Sequence, residues 1–523
     1  MIAQERRLGA VATSHYLATE AGAEMLRAGG NAIDAAIASA STLCVVYPNN
    51  VSLGGDLVAL VRNPEGDVSF VNATGPAPDK VSLKALQDKH GSSLPTRGVD
   101  TITVPGCIGG WKALADIGGQ LSWPVRLEAA RHYAVSAPVA RSVAAALRQG
   151  ADMLKADPGA REVFLSGGAA LAEGQTLRQP ALARSLERLA ANGPTDFYTG
   201  ELGVLWRQGL RALGSAINAE DTRRFAPVVE EPLSADVLGL RVHTGGPNTQ
   251  GFSLLRTLLA LNDPEEAGTR SARGSLGAIL GPEAGRLATL FHEGNLIRGA
   301  YLADPVAMTL SGEELLTVAP PATASVPPTA GGDRGDTVGL TAVSADGWAI
   351  SLVQSVYKSF GSSILEPETG ILFHNRGTSF SLDPTHPAAF TPGLRPPHTL
   401  MPVLADQGGQ LRYATATMGG QAQPQIHAHL LMRLLAGGSP LEATSSPRWA
   451  IDIPRSGAGV PAVVEADVEA GARAAMDAAG FELKTVPPRS EALGHANVIE
   501  VSSTGDYRAA SDPRSDGSTV VVP

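Results

Sequence analysis

The chain's most constraining feature is a change of texture at residue 337. Residues 318–336, VAPPATASVPPTAGGDRGD, place Pro320, Pro321, Pro327 and Pro328 among small residues with almost no apolar bulk. Such a stretch buries too little surface to offset the entropy of ordering it, so it reads as a mobile linker. Strand texture follows at once: residues 337–343 alternate, Ser344-Ala345-Asp346-Gly347 reads as a hairpin turn, and 348–356 return. The chain therefore divides into 1–336, with the linker at about 318–336, and 337–523.

The linker delivers Thr337 to the first position of a hairpin's edge. A cut after Asp336 would give that threonine a free α-amine, with a pKa of about 8, beside its own hydroxyl. Nucleophile and base would then come from one residue. From these local features alone the same position reads more readily as a β-branched residue opening a strand. A second feature lies in TMGGQAQPQIHAHLLMRLLAG (417–437), where Gly419-Gly420 precede a helix with Pro424 near its start. Glycine N–H groups at a helix N-terminus can hold a tetrahedral oxyanion, although such a pair is often only a turn.

In the first segment, Ser14 is expected to cap a helix carrying Leu17, Ala21 and Met25, ended by Gly29-Gly30. Asn31 should cap a second helix, with Asp34 in its first turn and Ala32, Ile33, Ala36, Ile37 and Ala40 on its buried side. Residues from about 110 to 300 read as mainly helical. Gly54-Gly55 leads into an apolar strand at 57–61.

Composition removes several classes of function. Lys and Arg number 41 against 51 Asp and Glu, a net charge of −10 without a basic run, so nucleic acid and anionic membranes are not expected partners. Two cysteines, Cys44 and Cys107, support neither a disulfide framework nor a cysteine metal site. His427-x-His429 lies on a helix, where positions two apart do not share a face, so no metal and no other cofactor is expected. His15 has no assignable task, and Cys44 reads as core. Without a signal peptide or an apolar run of spanning length, a cytoplasmic location is the expectation.

Blocks along nearly the whole chain carry a family resemblance. They include AGGNAIDAAIA (28–38), LGGD (53–56), TVPGCIGGW (103–111), LADP (302–305), DTVGLTAVSADGWAISLVQSVYKSFGS (336–362), PGLRPPHTLMP (392–402), MGGQAQPQ (418–425), SPRW (446–449) and SDPRSDG (511–517). In that order they resemble the gamma-glutamyltranspeptidase family of N-terminal-nucleophile (Ntn) hydrolases. The resemblance implies an α+β fold, a four-layer αββα sandwich made as one proenzyme. It implies self-cleavage between Asp336 and Thr337, giving a large chain (1–336) and a small chain (337–523) that stay together as one intertwined catalytic domain. It further implies Thr337 as nucleophile and base, Ser355 as the residue that orients it, and Gly419 and Gly420 as the oxyanion hole. The reaction would pass through an acyl-enzyme on Thr337 to water or an amine.

The departures from the family pattern bear on substrate. Thr74 stands at or within a residue of the place of an arginine that clamps the glutamyl carboxylate. Ser379 replaces the acidic residue that holds the amine, His398-Thr399 a Ser-Ser pair, and Tyr357 an Asn. Losing both ends of the zwitterion's grip disfavours glutamate-like substrates. NRG (375–377), HTLMP (398–402) and MGGQAQPQ resemble the amidohydrolase-like branch, which has oxamate amidohydrolase-like and cephalosporin acylase-like members. Asn375 and Arg376 fall at the pocket wall, and Arg376 is expected either to meet a substrate carboxylate or to make a structural salt bridge. The expected function is thus hydrolysis or transfer at an amide or acyl bond of a small polar substrate bearing a carboxylate. Other readings are a genuine gamma-glutamyl enzyme, a carbon–carbon hydrolase of a natural-product pathway, and an unprocessed binding or scaffold protein. A homo-oligomer is possible on any of them.

Overall fold

A computed structural model describes residues 8–262, 272–322, 336–453 and 459–523. It is a mixed helix and sheet protein built on two large sheets. In chain order the strands of these sheets are β1 (Gly9–Thr13), β2 (Asp56–Arg62), β3 (Val68–Ala73), β4 (Val228–Glu230), β5 (Leu233–Val237), β6 (Leu240–Thr244), β7 (Asp336–Ser344), β8 (Ala349–Tyr357), β9 (Val403–Gln407), β10 (Gln410–Met418), β11 (His495–Val501), β12 (Tyr507–Ser511) and β13 (Ser518–Val522). The seven-stranded sheet has the order β13-β1-β7-β8-β2-β3-β4, and the six-stranded sheet β12-β11-β10-β9-β6-β5.

Alternation along each strand decides what each face meets. Ala10, Ala12, Val58, Leu60, Val343 and Val353 of the first sheet share one buried cluster with Leu404, Ala414, Ala416 and Ile499 of the second. The sheets therefore face each other across this apolar layer. Val11, Leu57, Ala59, Leu340, Ala342 and Leu352 point the other way. They pack on α1 (Tyr16–Arg27), α2 (Ala32–Val46) and α3 (Cys107–Gly118), whose small residues permit close approach. Beyond the second sheet, Val242, Val403, Ala405 and Val498 meet α4 (Phe252–Leu261), α5 (Ala284–Tyr301) and α6 (Gln423–Leu435). Gly339 of β7 lies close against the second sheet, since a Cβ there would lie 2.5 Å from the Thr417 nitrogen.

Several expectations need correction. Strand β7 is not an edge, because β1 and β8 flank it, so Thr337 opens an interior strand. The cap of α1 is His15, whose Nδ1 accepts from Leu17 N at 3.2 Å, while Ser14 turns inward to His495 and the Gly339 carbonyl. Residues 110–300 also include β4 to β6, a stretch whose short strands carry too little alternation to stand out. Asn31 does cap α2, in a box that Asp34 completes. Of the proposed linker, 323–335 lie outside the described residues. Among the described residues no helix is long and apolar enough to cross a membrane.

Candidate active site

Strand parity brings the first three site residues together. Thr337, Ser355 and Asp56 fall in step with Gly339, Val353 and Val58, so they belong to the inner face of the seven-stranded sheet, at its end. The ladder between β7 and β8 pairs Asp336 with Tyr357 and Val338 with Gln354, so Thr337 stands opposite the two residues Ser355 and Val356. At this bulge the Thr337 hydroxyl lies 3.2 Å from Ser355 Oγ and donates to it. Ser355 Oγ in turn donates to the Asp336 carbonyl at 2.5 Å and accepts from Tyr357 N at 2.7 Å. Asn50 Nδ2 donates to the Thr337 carbonyl at 3.0 Å. A hydrogen-bonded chain thus runs from the Thr337 hydroxyl to the carbonyl of the preceding peptide bond. Tyr357 has φ of 78°, a left-handed backbone that a non-glycine residue holds only under constraint.

Gly419 and Gly420 sit where β10 gives way to a short 3-10 turn and then α6. Gly419 has φ of 154°, and a Cβ there would lie 2.5 Å from Ile426 Cδ1. Gln250 Nε2 holds the Gly420 carbonyl at 2.8 Å and the Thr399 carbonyl at 2.6 Å. Among the described residues neither glycine N–H meets a hydrogen-bond acceptor.

The remaining expected residues gather around Tyr357. Asn375 N donates to the Val356 carbonyl, which lays residues 374–376 alongside β8. Arg376, 1 % exposed, sits with its guanidinium carbon 3.6 Å from the centre of the Tyr357 ring. It donates to Thr399 Oγ1 at 3.1 Å and to Ser379 Oγ at 3.5 Å, and its Nε has no partner. No carboxylate forms an ion pair with it among the described residues. Burial pulls the Arg376 pKa down to about 10. Burial works against ionisation of the Tyr357 hydroxyl, but Arg376, a hydrogen bond with Ser379, Lys358 and Arg298 together bring it below the ordinary phenol value.

Other expected residues are committed to the protein itself. Asn375 accepts from Lys358 N and donates to the Thr96 carbonyl. Thr74 is bound to Asn72 and Asn248. His398 donates from Nε2 to Asp56 Oδ2 at 3.1 Å, and its backbone N–H is held by the Asn248 carbonyl. His427 and His429 are fully buried in α6, where His427 Nδ1 meets Thr415 Oγ1 and His429 packs against Phe291 and Trp449. Among the described residues no group of three or more His, Cys, Asp or Glu is placed to hold a metal ion.

Sequence reasoning missed four neighbours: Asp56, His374, Arg298 and Asn50. Asp56 closes the LGGD block and was the one with a signal. Burial alone would raise its carboxyl, but His374, His398 and Arg376 bring it below the usual carboxylate range.

The gamma-glutamyltranspeptidase family model matches residues 18–522. The chain belongs to the gamma-glutamyltranspeptidase family. Within it, the chain is 34% identical to the oxamate amidohydrolase proenzyme of Klebsiella pneumoniae, over 97% of each chain. It is 32% identical to a glutathione hydrolase-like proenzyme of Bacillus subtilis, over 98% of each. Among solved structures, the cephalosporin acylase of Bacillus halodurans superposes with a TM-score of 0.85 at 30% identity, covering 98% of this chain and 96% of the acylase.

Proposed function

We propose that the protein is a self-cleaving Ntn hydrolase that attacks an amide or acyl bond of a small, carboxylate-bearing substrate through Thr337. The observation that carries this reading is the hydrogen-bonded chain from the Thr337 hydroxyl through Ser355 to the Asp336 carbonyl. In self-cleavage the Thr337 oxygen attacks the Asp336 carbonyl carbon, and the hydrogen bond from Ser355 stabilises the developing oxyanion. The C–N bond breaks as the nitrogen takes the hydroxyl proton, leaving an ester. Water then hydrolyses that ester, freeing the Asp336 carboxylate and the Thr337 hydroxyl beside the amine already released. Large and small chains from one precursor, packed as an αββα sandwich of the Ntn type, are the products. The freed amine serves as base when the same hydroxyl attacks substrate, and the Gly419 and Gly420 N–H groups hold the tetrahedral oxyanion.

Arg376 supports an anionic substrate. A buried guanidinium without an acidic partner is costly, and a substrate carboxylate lying between it, Tyr357 and Thr399 would complete its pairing. The names of the relatives agree on amide and acyl chemistry, and that of the 34% identical one makes oxamate the first amide to try. A gamma-glutamyl substrate is favoured by the name of the Bacillus subtilis relative but lacks support at Thr74 and Ser379, both neutral. Intact mass of the wild type beside Thr337→Ala tests the reading. Two wild-type fragments, the small one beginning at Thr337, with the variant whole, are expected. A wild type that stays whole at 53.8 kDa would overturn it. Ammonia release from oxamate and other primary amides, measured on the cut enzyme, then tests the substrate class.

A further inference from the structure

Beside Ser355, across the strand from it, lies a buried group that the proposed chemistry does not use. Asp56 is the cross-strand partner of Ser355, one strand further from the nucleophile, and is 1 % exposed. Its two oxygens have separate tasks. Oδ1 accepts from the backbone of Gly75 at 3.1 Å and of Gly106 at 3.2 Å. Oδ2 accepts from His398 Nε2 at 3.1 Å. His374, also near Oδ2, is turned to other partners: Nε2 donates to the Thr103 carbonyl and Nδ1 accepts from Arg376 N.

This arrangement fixes which nitrogen of His398 carries the proton. A carboxylate only accepts, so Nε2 bears the hydrogen and Nδ1 of the neutral ring is a bare lone pair. Burial and the nearby Arg376 cation hold the ring neutral, with a pKa of about 3, despite Asp56. Nδ1 is fully buried and has no partner among the described residues. His427, His429 and His495 also have unpartnered ring nitrogens, but among these rings His398 is the one next to Thr399 and Arg376, where a donor from outside the protein can complete it. The adjoining residue, Thr399, already touches Arg376.

We infer that His398, locked as an acceptor by Asp56, reads a hydroxyl or N–H donor next to the substrate carboxylate that Arg376 holds. This rests on the substrate reading above and narrows it: the preferred substrates carry a donor on C2, as 2-hydroxy acids, 2-amino acids and the amide NH2 of oxamate do, rather than the acceptor-only C2 of a 2-oxo acid. A 2-oxo oxygen would set one acceptor against another, without a hydrogen between them. Arg376 supplies the common carboxylate contact, so the discrimination falls on His398 alone.

Lactate and pyruvate share size and charge and differ at that one group, so they serve as probes. Each is titrated calorimetrically into wild type, His398→Leu and Asp56→Asn, with intact mass recorded on the same samples. Wild type is expected to bind lactate about tenfold or more tightly than pyruvate, and His398→Leu to lose the preference. Asp56→Asn guards against a misfolded His398 variant and gives the sharper outcome. Asn Oδ1 must still serve Gly75 and Gly106, so its amide faces His398 Nε2 and moves the ring proton to Nδ1. The preference should then invert toward pyruvate, which a purely structural histidine would not produce. Equal binding of the two probes by wild type, no binding of either, or an unchanged preference in Asp56→Asn overturns the inference. Failure of the parent reading is distinct: an uncut wild type in the mass record breaks the hydrolase reading, and an Arg376→Met variant that binds both probes as tightly as wild type breaks the carboxylate reading.

Discussion

Two sets of buried arginines show how the same residue serves different ends. Behind α6, Arg448 and Arg514 have fully buried side chains, and carboxylates answer both of them. Arg448 Nη2 meets Asp512 at 2.7 Å, and Arg514 meets Glu465 at 2.6 Å and Asp512 at 3.0 Å. Arg448 also holds the Gly494 carbonyl at 2.9 Å, and Gly494 packs against Met418 and Gly419. Arg376 is as deeply buried, yet it has an aromatic face and two hydroxyls instead of an acid. The first pair is closed within the protein and supports the glycine turn. Arg376 is open, and on the proposed reading a substrate carboxylate supplies the missing partner.

The sharpest way to break this contrast is to remove the acid from the closed set. Asp512→Ala leaves two buried guanidinia short of a partner and should cost about 3–5 kcal/mol of unfolding free energy, read by urea denaturation. A loss below about 1 kcal/mol, typical of exposed pairs, would erase the distinction. The converse change, Arg376→Met, should leave unfolding within about 1 kcal/mol of wild type, because it breaks no ion pair. Affinity for an anionic substrate should fall about 100-fold, equivalent to about 2.7 kcal/mol, measured as KM or as probe binding. Unchanged affinity would make Arg376 structural.

Acid separates the histidines from the carboxylates. Burial holds the pKa values of His398 and His427 at about 3 and that of His495 at about 4, below the unfolded value of about 6.5. The unfolded chain therefore binds protons first as pH falls. Stability from these rings is complete above about pH 6.5 and declines below it, toward the folded values. Asp512 is held below its ordinary value, chiefly by Arg448 and Arg514 against the opposing effect of burial. Its contribution is present above about pH 3.9 and declines only below that. The urea midpoint should drop between pH 7 and pH 5, while the Asp512 carboxylate is still charged. A flat midpoint over that interval would show that the rings carry no such penalty. The smallest effect belongs to Asn31→Ala, remote from both sets of arginines, where loss of the α2 cap should cost about 1 kcal/mol in the same assay.

What the sequence disclosed follows the range of the interactions involved. Thr337 at a strand start and Gly419-Gly420 at a turn before a helix are local features that offer themselves as candidates, whereas Ser355 is reached only through the family resemblance. The capping box at Asn31 is likewise complete within four residues. The pocket was less legible because its meaning depends on distant partners. Asp56 and His398 are 342 positions apart, and no periodicity pairs them. His15 was passed over because a ring nitrogen can replace the hydroxyl expected of Ser14 in capping a helix. The interior place of β7 was equally hidden, since alternation identifies a strand but not its neighbours.

That interior place bears on how the protein can be lost. A break before β7 leaves the small chain's first strand between β1 and β8, with β13 on the far side of β1. The two polypeptides are then interleaved like the fingers of clasped hands, and neither can leave without dismantling the sheet. Unfolding would turn one particle into two, and reassembly would become a second-order encounter that dilution slows. Heated and cooled, the uncut chain can retrace its path, whereas the cut form should show hysteresis that deepens as protein concentration falls.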